Sequence, residues 1–147
     1  MTSIEYQYKE DGLLPDGSKV ADIPIINLLI VRRDIRKGII GESIVDTGFD
    51  AAIYANLELV EFLEGSTPTR TTSLHAAGHG VACEIFPVEC HLVNQVSKPV
   101  FSFGRVEAYC PVEPIDLSED VIVGRAILNQ LRLELDGKLT KLHLPRT

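Results

Sequence analysis

The chain has 147 residues, of which 45% are hydrophobic, so it can bury the core of one domain without help from a metal or disulfides. Its 21 acidic and 14 basic side chains give a formal net charge of -7, and the basic residues form no cluster that could follow a phosphate backbone, which argues against nucleic acid as a partner. The most apolar stretch, residues 23–31, is far shorter than the ~20 residues of a membrane-spanning helix, so no membrane partner is expected.

The first residues and the cysteines indicate the cellular compartment. The N-terminal residues lack the basic and apolar regions of a secretory signal. The three cysteines, Cys83, Cys90 and Cys110, are an odd number, which is typical of reduced thiols rather than of a disulfide framework. We therefore predict a cytoplasmic protein with free thiols in its core.

Short apolar runs separated by turn-forming residues predict β-structure in the first third of the chain. Residues 4–8 alternate between polar and apolar side chains, and residues 15–18 form a turn. Residues 20–32 are a candidate for one long strand. The dipeptide Lys37-Gly38 then turns the chain into an apolar strand over residues 39–45.

One helix and a long hairpin are predicted in the middle of the chain. Residues 55–63 place leucine, valine and phenylalanine side chains at helical spacing, and Gly65 follows as a stop signal. Residues 69–75 and 81–93 are rich in β-branched and apolar side chains. They flank residues 76–80, whose two glycines can adopt positive φ, and this pattern predicts a hairpin.

The last third of the chain predicts further strands and a second helical turn. One strand covers residues 101–109, and residues 121–123 form a short apolar strand that should be buried on both sides. A helical turn over residues 126–130 follows, and residues 131–144 form a closing hairpin. The chain is thus predicted to be a single all-β domain over residues 1–147, with one or two short helices.

The tripeptide Asp46-Thr47-Gly48 comes directly after the predicted strand 39–45. A match of three residues often arises by chance, and Asp-Thr-Gly can form an ordinary turn at the end of a strand. The order of the surrounding elements is more informative. A short helix follows the tripeptide, then the glycine-containing hairpin, then an apolar strand that ends in Gly124-Arg125. This order makes the tripeptide a candidate catalytic loop.

Two stretches of the sequence resemble the retropepsin-like (clan AA) aspartic proteases of the single-domain, homodimeric type. They are Ser43-Ile44-Val45-Asp46-Thr47-Gly48 and Val121-Ile122-Val123-Gly124-Arg125, the second followed by Ile127-Leu128. The resemblance extends from about Val20 to the end and leaves residues 1–19 as an unexplained N-terminal extension. The closing hairpin is more similar to cellular and bacterial members than to the shorter viral enzymes. The resemblance implies the closed β-barrel of the acid protease fold.

Aspartic proteases hydrolyse a peptide bond with two carboxyl groups that share one proton. One carboxylate activates a water molecule as a base and the other carboxyl protonates the departing group, without a cofactor or a metal. Asp-Thr-Gly occurs once in this sequence and Asp-Ser-Gly does not occur, so one chain supplies one carboxyl group. The second can come from an identical subunit across a two-fold axis. The sequence therefore predicts a homodimeric endopeptidase that acts on peptide or protein substrates.

The resemblance also assigns roles to the residues around the catalytic aspartate. The Thr47 position joins the two catalytic loops across the two-fold axis by hydrogen bonds, and Gly48 lets the substrate backbone approach the carboxylates. Arg125 matches an arginine that forks onto the carboxylate of Asp50 and braces the site. Gly124 gives further structural support.

The hairpin around residues 76–80 resembles the flap that covers an extended peptide in this family. An ordinary surface hairpin is the simpler alternative. The flap interpretation implies that substrate is bound mainly through backbone hydrogen bonds. The residues predicted to bind substrate are Phe49, Asp50, Ala77, Gly78, His79 and Gly80.

Phe49 departs from the family, in which the residue after the Asp-Thr-Gly glycine is usually small. Its ring either restricts the enzyme to small side chains near the cut or marks a chain that has lost turnover. In the second case the protein is an inactive dimeric module that holds a peptide or a partner protein. A more distant alternative is a zinc-binding β domain, although the spacing of the candidate donors is not that of a zinc module. These donors are His75, His79, Cys83, Cys90, His91 and Cys110.

Overall fold

The computed structural model of the chain describes residues 2–76 and 78–145. These residues form ten strands and two short α-helices, with a 3₁₀ turn at Pro114–Asp116. The elements are β1 (Ser3–Gln7), β2 (Ile25–Arg32), β3 (Lys37–Val45), β4 (Ile53–Tyr54), α1 (Leu57–Leu63), β5 (Arg70–Ala76), β6 (His79–Val93), β7 (Pro99–Pro111), β8 (Val121–Val123), α2 (Arg125–Leu128), β9 (Arg132–Leu135) and β10 (Leu139–His143).

Six strands form a closed barrel. They pair in the order β2-β3-β8-β4-β7-β6, and β6 pairs again with β2, which closes the ring. β5 is attached to the outside of this ring through its antiparallel pairing with β6. The prediction of an all-β protein with a closed barrel and one or two short helices is confirmed.

A second, three-stranded sheet joins the two ends of the described chain in the order β1-β10-β9. β1 runs antiparallel to β10, with Ser3 opposite His143 and Gln7 opposite Leu139. The predicted closing hairpin corresponds to β9 and β10. Tyr6 ties the small sheet to the barrel, because its buried ring lies in the core and its hydroxyl donates to the carbonyl of Val93. The first strand, which the family resemblance left unexplained, is therefore an integral part of the fold.

Alternating side chains of the barrel strands fill one hydrophobic core. In β2, for example, Ile26, Leu28 and Ile30 are at most 3% exposed, as expected for a strand with one face towards the core. The cysteines Cys83, Cys90 and Cys110 are free and buried, which confirms the prediction of core thiols. Burial raises the pKa of Cys90 and of Cys110 to about 12, so both thiols stay protonated.

Two predictions about the first strands are wrong. The predicted strand 20–32 begins only at Ile25, because Pro24 has no N–H to donate to a sheet and the residues before it pair with another segment. The predicted turn at Lys37-Gly38 lies instead at residues 33–36, where Arg36 adopts a φ of 51°. Gly38 belongs to β3, and a Cβ there would lie 2.7 Å from Cδ1 of Leu29, so the end of that side chain would have to move to accommodate it.

Element boundaries differ elsewhere for local reasons. Helix α1 begins at Leu57 rather than at residue 55, because Asn56 is the N-cap and its side chain accepts the N–H of Leu59. The two-residue strand β4 was not predicted, since so short an element leaves no periodic pattern. The strand at residues 121–123 was expected to be buried on both sides, but Ile122 is half-buried because it faces a surface cleft.

The described residues contain no helix that combines the length and the apolar character needed to cross a bilayer.

Candidate active site

Asp46 lies where β3 leaves the barrel. Its backbone N–H donates to the carbonyl of Val123 in β8 at 3.0 Å, and the N–H of Val45 donates to the carbonyl of Pro24 at 3.0 Å. The residue is thus held between the strand that precedes it, the parallel strand β8 and the start of β2. In the single chain the Asp46 side chain is exposed, as a carboxylate must be if it is to face a second subunit.

The Asp-Thr-Gly turn folds around its own carboxylate. The N–H of Gly48 donates to Oδ1 of Asp46 at 2.9 Å, and the N–H of Phe49 donates to the Asp46 carbonyl at 3.2 Å. A Cβ at position 48 would lie 3.2 Å from the same Oδ1, so any larger residue crowds the carboxylate. Glycine therefore suits this position sterically. Thr47, which lies between Asp46 and Gly48 in the sequence, is exposed.

Gly124 allows the start of α2 to pack directly on the aspartate loop, residues 46–50. Its N–H donates to the carbonyl of Ala52 at 2.9 Å, and the next N–H, of Arg125, donates to the carbonyl of Phe49 at 2.8 Å. A Cβ at position 124 would lie 2.3 Å from the Ala51 oxygen and 2.5 Å from the Phe49 oxygen. No side chain fits there, which supports the role in structural support predicted for Gly124.

A cleft of about 580 Å³ opens beside Asp46. It brings together residues of the aspartate loop, of the hairpin β5–β6 and of β8, which are far apart in the sequence. The lining residues are Asp46, Gly48, Phe49, Asp50, Tyr54, Leu74, His75, Val81, Ile122 and Arg125.

The tip of the β5–β6 hairpin lies outside this cleft in the single chain. Gly78, which adopts a φ of +75°, His79 and Gly80 are exposed and do not line the cleft, whereas Leu74 and Val81 at the sides of the hairpin do. Ala77, also predicted to bind substrate, lies outside the described residues.

The ring of Phe49 packs in an aromatic cluster at the wall of the cleft. It makes edge-to-face contacts with Tyr54 and Tyr109, at 6.2 Å between ring centroids in both cases. The hydroxyl of Tyr54 donates to the carbonyl of Asp116, and burial raises the pKa of Tyr54 to about 12. The bulky ring is therefore held against the protein and forms part of the wall of the cleft.

The predicted fork between Arg125 and Asp50 is absent from the single chain. Both residues line the cleft, but the ion pairs of the described residues do not include one between them, which would require a separation of 4.0 Å or less. Both residues are exposed, and an exposed pair gains little Coulomb energy over two hydrated charges.

Several cleft residues were not predicted as site residues: Tyr54, Leu74, Val81 and Ile122, together with His75, which was considered only as a zinc donor. The period-two alternation of the predicted strands was the one available signal for them. It could indicate that they share a face, but not that this face meets Asp46.

The candidate zinc donors are scattered. Among the described residues, no group of three or more histidine, cysteine or acidic side chains is close enough to hold a metal ion. The three cysteines are buried, and the side chain of His79 is 71% exposed, with its Nε2 3.7 Å from Oδ1 of Asp116.

The sequence matches no protein-family model, and no curated protein matches it. Among solved structures, the chain is similar to the crystal structure of a retropepsin-like aspartic protease from Rickettsia conorii, with a TM-score of 0.53 and 17% sequence identity. The match covers 96% of this chain and 91% of that chain, so it extends into the N-terminal residues. At this level of identity the likeness concerns the fold. Together with the closed barrel and the two short helices, it shows that the chain has an all-β, retropepsin-like fold.

Proposed function

We propose that this chain is one subunit of a homodimeric aspartic endopeptidase. The observation that carries the proposal is an exposed Asp46, in an Asp-Thr-Gly turn at the end of a barrel strand, beside an open cleft on a retropepsin-like fold. Each part taken alone is common. Their combination is what a half-site of such a protease requires.

The chemistry needs two carboxyl groups close together. Like charges about 3 Å apart cannot both be ionised, so the pair of Asp46 residues shares one proton. The ionised carboxylate takes a proton from water as the water oxygen bonds to the substrate carbonyl carbon. The protonated carboxyl then supplies a proton to the amide nitrogen as the carbon–nitrogen bond breaks. The protons balance, no covalent intermediate forms, and no cofactor is required.

A second copy of the chain supplies the missing carboxyl in this proposal. Asp-Thr-Gly occurs once in the sequence, and Asp46 faces solvent in the single chain. A two-fold axis beside this residue brings two equivalent carboxylates face to face. In this proposal Thr47, exposed next to Asp46, contacts its own copy across the same axis. Arg125 and Asp50, which line the cleft without an ion pair in the single chain, are proposed to brace the loop once the dimer has formed.

The substrate is proposed to be an extended peptide with apolar side chains near the cut. Leu74, Val81 and Ile122 contribute apolar side chains to the lining of the cleft, and Phe49 and Tyr54 add an aromatic contact to it. We propose that the flap residues Gly78, His79 and Gly80 offer backbone groups to the bound peptide; Ala77, which belongs to the same proposed flap, lies outside the described residues. The aromatic wall favours small side chains next to it.

The proposed location is the cytoplasm. Three free cysteines buried in the core are compatible with a reducing compartment.

The decisive experiment compares the wild-type chain with Asp46→Asn. Mass in solution is measured by sedimentation, and cleavage is measured on a peptide library with and without a statine-type transition-state mimic. Asp46→Asn is expected to remain a dimer and to lose cleavage, and the mimic is expected to inhibit the wild type. Glu61→Gln, which removes one exposed carboxylate from α1, is the matched control and should retain full activity.

The outcomes separate the alternatives. A wild-type dimer that binds peptides without cutting them identifies the inactive binding module. Cleavage that survives Asp46→Asn refutes the aspartic protease. Stoichiometric zinc in the purified protein supports the zinc-binding domain.

A further inference from the structure

Residues 9–23 form a hairpin that projects from the body of the fold, here called the arm. Lys9 pairs with Ile23 and Leu13 pairs with Lys19, both antiparallel and in one continuous register. Between these pairs the N–H of Val20 donates to the carbonyl of Gly12 at 3.0 Å. The arm turns at residues 15–17.

The base of the arm lies at the same end of the barrel as Asp46. The chain leaves the arm through Pro24, whose carbonyl accepts the N–H of Val45, the residue just before Asp46. β2 runs antiparallel to β3, so β2 begins where β3 ends. At about 3.3 Å per residue, a strand of this arm extends roughly 20 Å from its base. The arm is long enough to reach well beyond the aspartate loop.

Nothing in the described chain covers the arm. Every residue from 10 to 22 is exposed except Val20, which is half-buried. Leu13 is 70% exposed and Leu14 is 50% exposed, next to each other at the tip. A two-stranded hairpin without a packed face is marginal in water, and the two adjacent exposed leucines near its tip offer an apolar surface that a partner could cover.

From this arrangement we infer that the arm clasps a second copy of the chain, with Leu13 and Leu14 buried on the partner subunit. The inference rests on the proposed function, because the half-site at Asp46 is incomplete without that copy. A stable interface buries about 800 Å² on each partner and involves about 20–30 residues a side, whereas the aspartate loop has five residues, 46–50. The arm begins beside the loop and adds the contact area on the same side of the molecule.

Sedimentation velocity over a range of protein concentrations tests the clasp. The double variant Leu13→Asp, Leu14→Asp is expected to raise the dimer dissociation constant at least about 100-fold, because two buried leucines become charged. Both side chains are exposed in the single chain, so circular dichroism should show an unchanged fold. Ile35→Asp is the matched control. Ile35 is 46% exposed in the turn between β2 and β3, at the far end of these strands from Asp46, and its change should leave dimerisation unaffected.

Hydrogen exchange gives a second measurement on the unaltered protein. Amides of residues 10–22 are expected to gain protection as the protein concentration rises through the dimer dissociation constant. The clasp is refuted if the double variant dimerises within about threefold of the wild type, if these amides exchange equally in monomer and dimer, or if the wild type stays monomeric.

The proposed protease activity is tested separately by Asp46→Asn. If dimerisation depends on Leu13 and Leu14 but activity does not depend on Asp46, the clasp is supported and the protease proposal is refuted. If activity depends on Asp46 but dimerisation does not depend on Leu13 and Leu14, the clasp is refuted and the protease proposal is supported.

Discussion

Replacing Gly124 with alanine places a methyl group against the backbone of the aspartate loop. The new Cβ would lie 2.3 Å from the Ala51 oxygen, 2.5 Å from the Phe49 oxygen and 2.6 Å from Cδ2 of Phe49. All three separations are well below van der Waals contact, and two of them involve main-chain atoms. The strain cannot be relieved by turning one side chain, so the loop and the start of α2 have to separate.

The cost follows from these contacts. An added methyl group in a packed region costs about 1–3 kcal/mol, and rigid backbone neighbours favour the upper end. Separation also weakens the hydrogen bonds from Gly124 to Ala52 and from Arg125 to Phe49, now 2.9 and 2.8 Å long, at about 1 kcal/mol for one bond lost. We expect Gly124→Ala to lower the free energy of unfolding by about 4 kcal/mol. At about 3 °C per kcal/mol for a chain of this size, the melting temperature falls by about 12 °C.

Urea unfolding monitored by circular dichroism measures this loss, and Gly41→Ala supplies the control. Gly41 lies inside β3, and a Cβ there meets nothing within 4 Å, so the same substitution should not lower stability and is expected to raise it by about 0.4–1 kcal/mol. If the chain is the proposed protease, a shift of the aspartate loop by about 1 Å lowers kcat/KM roughly 100-fold in Gly124→Ala. Equal stability of the two variants refutes the steric argument.

Four further outcomes are expected. Asn56→Ala removes the acceptor of the Leu59 N–H and should lower the free energy of unfolding, measured in urea, by about 1 kcal/mol. An unchanged value would contradict a stabilising role of Asn56 as the N-cap. The folded pKa of Tyr54 is about 12 against an ordinary 10.0, so its contribution to stability is present below pH 10 and is lost as the pH rises towards 12. The free energy of unfolding of Tyr54→Phe should therefore fall less between pH 10 and pH 12 than that of the wild type. Equal falls in the two proteins would contradict this. Cys90 and Cys110 should react with a thiol reagent at pH 8 only after unfolding, whereas rapid reaction of the folded protein would show that they are accessible. Cleavage by the proposed aspartate pair should be fastest at mildly acidic pH, where one proton remains on the pair, and a rate that climbs steadily into alkaline pH contradicts the mechanism.

The packing of Phe49 bears on the two alternatives that its size suggested. From the sequence, a bulky residue after Asp-Thr-Gly indicated either a narrowed pocket or lost turnover. Its edge-to-face contacts with Tyr54 and Tyr109 hold the ring to one side, and Asp46 and Gly48 still line an open cleft. This geometry favours the narrowed pocket, because access to the carboxylate is retained.

The local features on which the functional proposal depends could be predicted from the sequence. An apolar strand that ends in Asp46-Thr47-Gly48, and a second that ends in Gly124, are consecutive patterns readable without knowing the fold. The single Asp-Thr-Gly also implied a half-site, because that inference needs only counting. The all-β class and the helix before Gly65 followed from period and stop signals within short windows.

Contacts between distant segments became apparent only in the folded chain. The pairing of β1 with β10 joins the two ends of the described chain, and the cleft joins Asp46 to Leu74 and Ile122. The tertiary structure also placed Gly38 inside a strand, next to the side chain of Leu29, and it left Arg125 and Asp50 in the lining of one cleft without an ion pair between them. The physical reason is that strand period and turn chemistry act over a few neighbouring residues. Pairing across a barrel depends instead on shape and contact between surfaces far apart in sequence, which no local pattern encodes.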